Sequence, residues 1–382
     1  MDFELTPEQQ DYRRMIREFI KAECSPELDR EIEANERFPE ELMPKLAKTG
    51  IFGLCFPEEF GGYGGSAIDF ALAVEELCYG SEAASACYLL PVFFAGQMIL
   101  LNGSEEQKRT YLPRIIAGQM KGAFALTEPE AGSDASAVQT KAVRDGDDFV
   151  INGYKHYISG ADVADYIMTV TRTDSERHGG ITIFMVPRES QGVSIRKVDK
   201  LGSRCVSLCE ILYEDVRVPE QNIIGGPEGL NKGWLHMMGS LDMERIMVAA
   251  SMTALAQKAY EAALAYAKER VQFGKTISKY QMVQLQLVNM TIDLEAGRNL
   301  IYKAAWKAAS GAAMAKEGSI AKVFCTEMAT RVTQSAMQVM GGQSYLMESD
   351  IQRWARMALL GPIGMGTNNI QRLIIASNLG LG

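Results

Sequence analysis

Histidine is nearly missing from this chain: its 382 residues hold only His156, His178 and His236. With so few imidazoles, and with Cys205 and Cys209 as the one close cysteine pair, a structural zinc site is not expected. The seven cysteines, at positions 24, 55, 78, 87, 205, 209 and 325, are odd in number and irregular in spacing. That excludes a regular disulfide framework and suits a reducing, cytosolic setting. There is no basic surplus either. Lys and Arg number 39 against 48 Asp and Glu, a net charge of −9, so nucleic acid is not an expected partner. Basic clusters such as Arg13-Arg14 read as solvated helix faces. No run of about eighteen apolar residues exists, so no membrane span is expected. The opening Met1-Asp2-Phe3-Glu4-Leu5-Thr6 is acidic and polar, unlike a secretory leader. Internal repeats and low-complexity tracts are absent.

What the chain does have is apolar mass. Its hydrophobic content of 47% supplies a large core, and its length points to two or three domains. Residues 1–120 read as helical. Thr6-Pro7-Glu8-Gln9 is a helix start with a capping Thr, an early Pro and a Gln three residues after the cap. Met15, Ile16, Phe19 and Ile20 follow at helical spacing. Further helices are predicted near 40–50, 67–80, 83–101 and 105–117. The Gly-rich break Phe60-Gly61-Gly62-Tyr63-Gly64-Gly65 reads as a turn needing positive φ. Its other reading is a phosphate cradle, which normally opens a helix directly after a strand. Residues 121–230 change texture, with β-rich runs at 148–153, 166–171, 181–186 and 209–213 separated by Gly, Asp and Pro. Residues 231–382 return to long helices over 240–271, 277–309 and 315–341 and a short one over 367–378. Short loops between them suggest a four-helix bundle. The predicted fold is mainly α with a central all-β domain.

Four motifs then occur in order along the chain. They are Leu126-Thr127-Glu128-Pro129-Glu130-Ala131-Gly132-Ser133-Asp134, Arg270-Val271-Gln272-Phe273-Gly274-Lys275, Gln338-Val339-Met340-Gly341-Gly342, and Gly366-Thr367. Together they resemble the signatures of the acyl-CoA dehydrogenases, over essentially the whole chain. The resemblance implies an N-terminal helical domain, a middle β-barrel and a C-terminal four-helix bundle, with FAD as cofactor. It implies that Phe124, Leu126 and Thr127, with Tyr157, Ile158 and Ser159, meet the flavin ring. Thr127 and Ser159 would lie near its polar edge and N5, and Tyr157 would cover one face. Gly132 and Ser133 would meet the phosphates, and Ser133 also the CoA arm. Ser133 alone reads equally as part of a Ser-Asp turn or helix cap. Arg270 would grip the FAD pyrophosphate of a neighbouring subunit, together with Gln272, Phe273, Gln338, Gly341 and Gly342. The implied assembly is a homotetramer, a dimer of dimers. Read alone, Arg270 is a charge answering the helix dipole. Gln281, Thr367 and Asn369 are further cofactor candidates; Asn369 stands where Gln is usual.

Most of the family carries its catalytic Glu just before the Gly-Thr pair. Met365 occupies that position and cannot take a proton. Leu241-Asp242-Met243-Glu244-Arg245 resembles the L-D-x-E-R segment of isovaleryl- and long-chain acyl-CoA dehydrogenases, where the base sits on a bundle helix. Glu244 has Ser240, Leu241, Met247 and Val248 at helical spacing and no basic residue there, so no in-helix ion pair forms. A carboxylate among apolar neighbours has a raised pKa, as a general base needs. Its other reading is a helix-start acid favoured, like Asp242, by the dipole. By resemblance the thioester carbonyl is polarised by a flavin ribityl hydroxyl and the N–H of Met365. Asp242, Met243, Arg245 and Gly366 border the substrate, and Tyr88-Leu89-Leu90-Pro91-Val92-Phe93-Phe94 lines the acyl pocket. Gly364, where Tyr is frequent, is expected to open space for a bulky acyl group. Met357 replaces a common Asp, and Ser377 falls where some members keep a CoA-side Arg. The implied reaction is dehydrogenation of an acyl-CoA to the enoyl-CoA, with electrons passed to an electron-transfer flavoprotein. The reverse reaction, enoyl-CoA reduction in an anaerobe, uses the same residues. Met365 is the one feature favouring a flavin-free assembly subunit of the same fold; the cofactor motifs and Glu244 oppose it.

Overall fold

The structure, a computed structural model, describes residues 4–381. Its first third is helical: α1 (Pro7–Glu23), α2 (Pro26–Asn35), α3 (Met43–Ala47), α4 (Ala67–Gly80), α5 (Glu82–Leu89), α6 (Met98–Asn102) and α7 (Glu105–Ile116). Thr6 and Gln9 close a reciprocal capping box at α1, as Ser66 and Asp69 do at α4 and Ser104 and Gln107 at α7. Each box satisfies two N–H groups that a helix start leaves bare. The Gly-rich break is a turn, with Gly61 at φ 91° and Gly64 at φ 67°. The N–H groups of Tyr63, Gly64 and Gly65 bond to the carbonyls of Gly53, Phe56 and Leu54, which leaves no cradle for phosphate.

Between α5 and α6 the chain continues as a π-helical segment, Leu90–Gln97. Pro91 accounts for the change of pitch: it gives no N–H and its ring crowds the preceding turn. Together these elements form one helix, Glu82–Asn102, whose length and composition match a bilayer span. Yet 78% of its most apolar window is buried inside the protein, so it is a core helix.

The middle of the chain forms one seven-stranded sheet: β1 (Gly122–Ala125), β2 (Lys141–Asp145), β3 (Asp148–Ser159), β4 (Tyr166–Arg172), β5 (Ile181–Pro187), β6 (Val193–Val198) and β7 (Leu208–Pro219). β5 pairs along all of β4, so the other edge of β4 serves both β1, in parallel over Tyr166–Thr169, and β2 at Arg172. From there the order runs β3, β7, β6. Phe149, Ile151, Ile167, Phe184, Ile211 and Tyr213 fill the core of this unit.

The remainder is helical: α8 (Gly233–Glu269), a small hairpin of β8 (Val271–Gln272) and β9 (Lys275–Thr276), α9 (Gln281–Ala309), α10 (Ala315–Met340), α11 (Asp350–Ala358) and α12 (Asn368–Asn378). α8, α9 and α10 pack side by side, with α11 and α12 laid against α10. A buried line of Ala on α8, including Ala249, Ala256, Ala263 and Ala267, lets its neighbours approach closely. α8 begins at Gly233, earlier than the predicted 240. Glu244 therefore lies about three turns inside the helix. The dipole acts over the first turn only, so the helix-start reading of Glu244 and Asp242 fails.

Candidate active site

Glu244 and the 359–367 loop meet at one end of the bundle. Among the described residues, nothing donates a hydrogen bond to the Glu244 carboxylate and no cation pairs with it within 4 Å. Solvent reaches part of the side chain, but the surrounding protein still dominates. Burial pushes the Glu244 pKa up to about 7, while the charges of Arg245 and Lys322 pull it down. Arg245 itself is buried. It pairs with Asp242 and donates from Nε to Gln371 Oε1 at 3.0 Å. Two of its guanidinium nitrogens, Nε and Nη1, are thus engaged in tying α8 to α12 and in holding Asp242.

Gln371 carries the link onward, donating from Nε2 to the carbonyl of Gly366 at 3.2 Å. The same carbonyl accepts from Lys322 Nζ at 3.0 Å, and Lys322 also donates to Gly361 O at 3.0 Å and Asn368 Oδ1 at 2.9 Å. Burial lowers the Lys322 pKa to about 8, with Glu244 and Glu327 opposing. Thr367 caps α12 by accepting from the N–H of Ile370. Between these anchors Met365 and Gly366 adopt left-handed backbone, with φ 52° and 71°. Among the described residues the N–H groups of Met365 and Gly366 have no acceptor in the protein, and both residues are exposed. A strained non-Gly residue with an unused donor, pinned on both sides, has the character of a preorganised anion site. A Cβ on Gly364 would lie 3.2 Å from Leu360 Cδ1 and 3.3 Å from Leu360 O, so the backbone packs closely on Leu360 here.

The helix Glu82–Asn102 runs beside this end of α8. Asn102 Nδ2 reaches His236 O at 3.4 Å and Ser240 Oγ at 3.3 Å, and Ser240 Oγ also contacts Met98 Sδ at 3.7 Å. The two helices are thus antiparallel, and one turn beyond Ser240 puts Glu244 level with Phe94 and Ala95. Phe93 and Phe94 stack edge to face, with centroids 5.5 Å apart. Farther along, Leu90 presses on Gly160, where an added Cβ would sit 2.7 Å from Leu90 Cδ2. Ser159 and the end of β3 are therefore about 7 Å along this helix from the level of Glu244.

That strand end is built to show a flat face. β3 bulges against β7 between Lys155 and Ile158, and Tyr157 takes φ 60° there. The bulge turns its ring outward, 57% exposed, stacked on His156 at 3.8 Å between centroids. His156 N donates to Thr127 O at 2.8 Å, which joins the ends of β1 and β3. Beneath them lies a buried ion pair. Lys155 Nζ meets Glu128 Oε1 at 2.7 Å and Leu126 O at 3.0 Å, and Glu128 also accepts from the N–H groups of Gln139 and Thr140. Phe124, Leu126, Thr127 and Ser159 are half-buried around this edge. Ile158 points into the sheet core at 2% exposure, so only its backbone can meet a ligand. Gly132 and Ser133 are exposed just beyond, and a Cβ on Gly132 would meet nothing. Asp134 is held by Arg177 and Ser136. Ser133 has no partner among the described residues.

A second group of candidates lies elsewhere. Arg270, Gln272, Phe273, Gln281, Gln338, Gly341 and Gly342 are all exposed, and added Cβ atoms on Gly274, Gly341 and Gly342 would meet open space. Arg270 closes the far end of α8, roughly 39 Å from Glu244 along the axis, and Gln338 is roughly 24 Å along α10 from Lys322. Met365, Gly366 and Thr367 lie on the loop tied to α8 through Gln371 and Arg245, the residue next to Glu244; Asp242 and Met243 precede Glu244 on the helix. Asn369 is exposed on α12, and its neighbour Asn368 is the residue that joins the loop network. Lys322, Asn368, Gln371 and the pair Lys155–Glu128 were not singled out from sequence. Lys322 did leave a trace there, as a lone cation in Ser319-Ile320-Ala321-Lys322-Val323-Phe324. Among the described residues no group of three or more His, Cys, Asp or Glu is placed to hold a metal.

Comparison with known proteins agrees with this geometry. Residues 6–119, 123–216 and 231–380 match the models of the N-terminal, middle and C-terminal domains of acyl-CoA dehydrogenases. The chain is 41% identical to a probable acyl-CoA dehydrogenase, YngJ, of Bacillus subtilis, over 99% of this chain and 100% of that protein. It is 37% identical to the caffeyl-CoA reductase–Etf complex subunit CarC of Acetobacterium woodii, over 96% and 97%. The solved structure of butyryl-CoA dehydrogenase from Megasphaera elsdenii superimposes with a TM-score of 0.94 at 35% identity, over 99% of this chain and 100% of that one.

Proposed function

Because the chain belongs to the acyl-CoA dehydrogenase family, we propose that Glu244 is the base of an oxidoreductase that dehydrogenates the Cα–Cβ bond of an acyl-CoA. The observation that carries this reading is a carboxylate with a raised pKa and no partner, beside a pinned loop with unused N–H donors. The N–H of Met365 receives the thioester oxygen, which makes the α-proton acidic. Glu244 takes that proton. Met243 and the apolar helix face at Phe93 and Phe94 hold the acyl chain and keep water out.

FAD is the cofactor, and when bound it accepts the β-hydrogen as hydride. The residues present fit it: an exposed aromatic face at Tyr157, peptide groups from Phe124 to Thr127, the hydroxyl of Ser159, and open backbone at Gly132 for phosphate. Its other end is held by Arg270, Gln272, Phe273, Gln338, Gly341 and Gly342 of a second copy, since in one chain these lie too far from Glu244. An exposed apolar stripe on α9, formed by Met282, Leu285, Val288 and Ile292, supports such an assembly. Arg270→Ala is expected to weaken FAD binding roughly 10- to 100-fold, the worth of a hydrogen bond to a charged group. Titration of the apo-protein with FAD measures it. If Arg270 only answers the helix dipole, FAD affinity will stay unchanged.

The pH dependence tests the base directly. Glu244 must be ionised to take a proton, so kcat/KM for oxidation should rise with pH and level off above about 7. A second reading, physiological reduction of an enoyl-CoA with electrons from an electron-transfer flavoprotein, is favoured by the likeness to the caffeyl-CoA reductase–Etf subunit. Reduction needs Glu244 protonated, so its rate should fall above about 7. Flavin bleaching by a panel of acyl-CoAs, beside the reverse assay on enoyl-CoAs, decides direction and chain. A rate constant flat across neutral pH in both directions removes Glu244 as the base.

A further inference from the structure

Lys322 is a fully buried cation two turns into α10, and among the described residues no carboxylate lies within 4 Å of it. An ammonium carries three N–H donors, and here all three are used. They go to Gly361 O, Gly366 O and Asn368 Oδ1 at 3.0, 3.0 and 2.9 Å. The two carbonyls bracket residues 362–365, so one nitrogen holds both ends of the loop. The third acceptor is itself fixed, since Asn368 Nδ2 donates to Thr326 Oγ1 at 3.0 Å and Glu327 Oε1 at 3.1 Å. Gln371 adds a second donor on Gly366 O. The loop between these anchors contains the one non-Gly residue of its stretch with positive φ, Met365. Such backbone relaxes unless its surroundings over-determine it.

We propose that Lys322 is a positioning residue for the reaction: by drawing the Gly361 and Gly366 carbonyls inward it keeps the Met365 N–H set to receive the thioester oxygen. The inference rests on the assignment of Met365 and Glu244 made above. It explains why a buried cation is tolerated without a counter-ion in contact. A neutral apolar residue of similar size would be cheaper for packing alone, because burial without a partner disfavours charge.

The test compares two ligands on the FAD-loaded enzyme: an acyl-CoA thioester, and the S-alkyl-CoA thioether that lacks the carbonyl. Wild type should prefer the carbonyl-bearing ligand. Lys322→Met should retain FAD, lose about tenfold of that preference, and lose about 100-fold in kcat, the scale of one oxyanion donor. A general packing defect weakens both ligands alike and leaves the ratio unmoved. An unchanged ratio in folded, FAD-loaded Lys322→Met overturns the proposal. If that variant does not fold, Lys322→Gln is read the same way; it keeps two N–H donors on a shorter stem and should show a smaller drop, and an unchanged ratio is again decisive against Lys322. Glu244→Gln separates the two assignments. It should lose turnover and keep the ligand preference, whereas an active Glu244→Gln would overturn the base and leave the ratio test of Lys322 intact.

Discussion

Glu244→Gln is expected to remain folded and yellow with FAD while turnover falls by about 10²- to 10⁴-fold, the contribution of a positioned general base. The substitution is nearly isosteric, and it removes no hydrogen bond or ion pair, because the native carboxylate makes none among the described residues. Stability should therefore change little, and any loss of rate reports chemistry. Stopped-flow bleaching of the flavin by an acyl-CoA isolates the step. The loop offers a rescue. Met365→Glu in the Glu244→Gln background places a carboxylate where most of the family carries its base. That double variant should regain part of the rate, since the left-handed backbone at Met365 accepts an unbranched side chain. Near-normal turnover in Glu244→Gln alone would sink the assignment.

The largest expected effect on stability comes from Glu128→Ala. Lys155 has no exposed surface, and among the described residues Glu128 is its only acidic partner. Burial lowers the Lys155 pKa to about 8, against the pull of Glu128. Burial also tends to raise Glu128, but the Lys155 charge and its hydrogen bonds outweigh this and leave its pKa below the usual carboxylate value. Removing one partner of such a pair strands the other in the protein, at a cost of about 3–5 kcal/mol. The midpoint of thermal or urea unfolding should fall accordingly. FAD should also bind less well, because Lys155 joins Leu126 O and Glu128, next to Thr127 and two residues before Tyr157. Replacing both members with apolar residues of similar volume should recover most of the stability. A loss under about 1 kcal/mol for Glu128→Ala, the range of surface pairs, would show that the pair is not structurally central.

The sequence carried the helical elements well where apolar residues recur every three or four positions, as in α1, α9 and α10. It carried β3, β4, β5 and β7 because their apolar runs are short and punctuated. It did not reveal β6, whose Ser194, Arg196 and Lys197 leave it exposed at the sheet edge, nor β2, whose Lys141, Arg144 and Asp145 are exposed although it lies between β4 and β3. α2 was missed because Glu and Arg dominate it, and α11 because its strongly amphipathic nine residues are too short to stand out. The π-helical pitch after Leu89 has no periodic signature. At the site, family motifs pointed to Glu244, Tyr157 and Arg270 as single residues. Their supports were illegible, because Lys322, Gln371, Lys155 and Glu128 act on partners far away in the chain. The contacts of Arg245 with Gln371 and of Gly364 with Leu360 were not legible either.

In the proposed assembly, where Arg270 grips the cofactor of a neighbouring copy, harm at Glu244 and harm at Arg270, far apart on α8, fall on different pockets. A copy crippled at Arg270 spoils the cofactor grip of its neighbour and spares its own proton acceptor; a copy crippled at Glu244 does the converse. Pairing the two damaged chains rebuilds one sound pocket from halves that are each inert among their own kind.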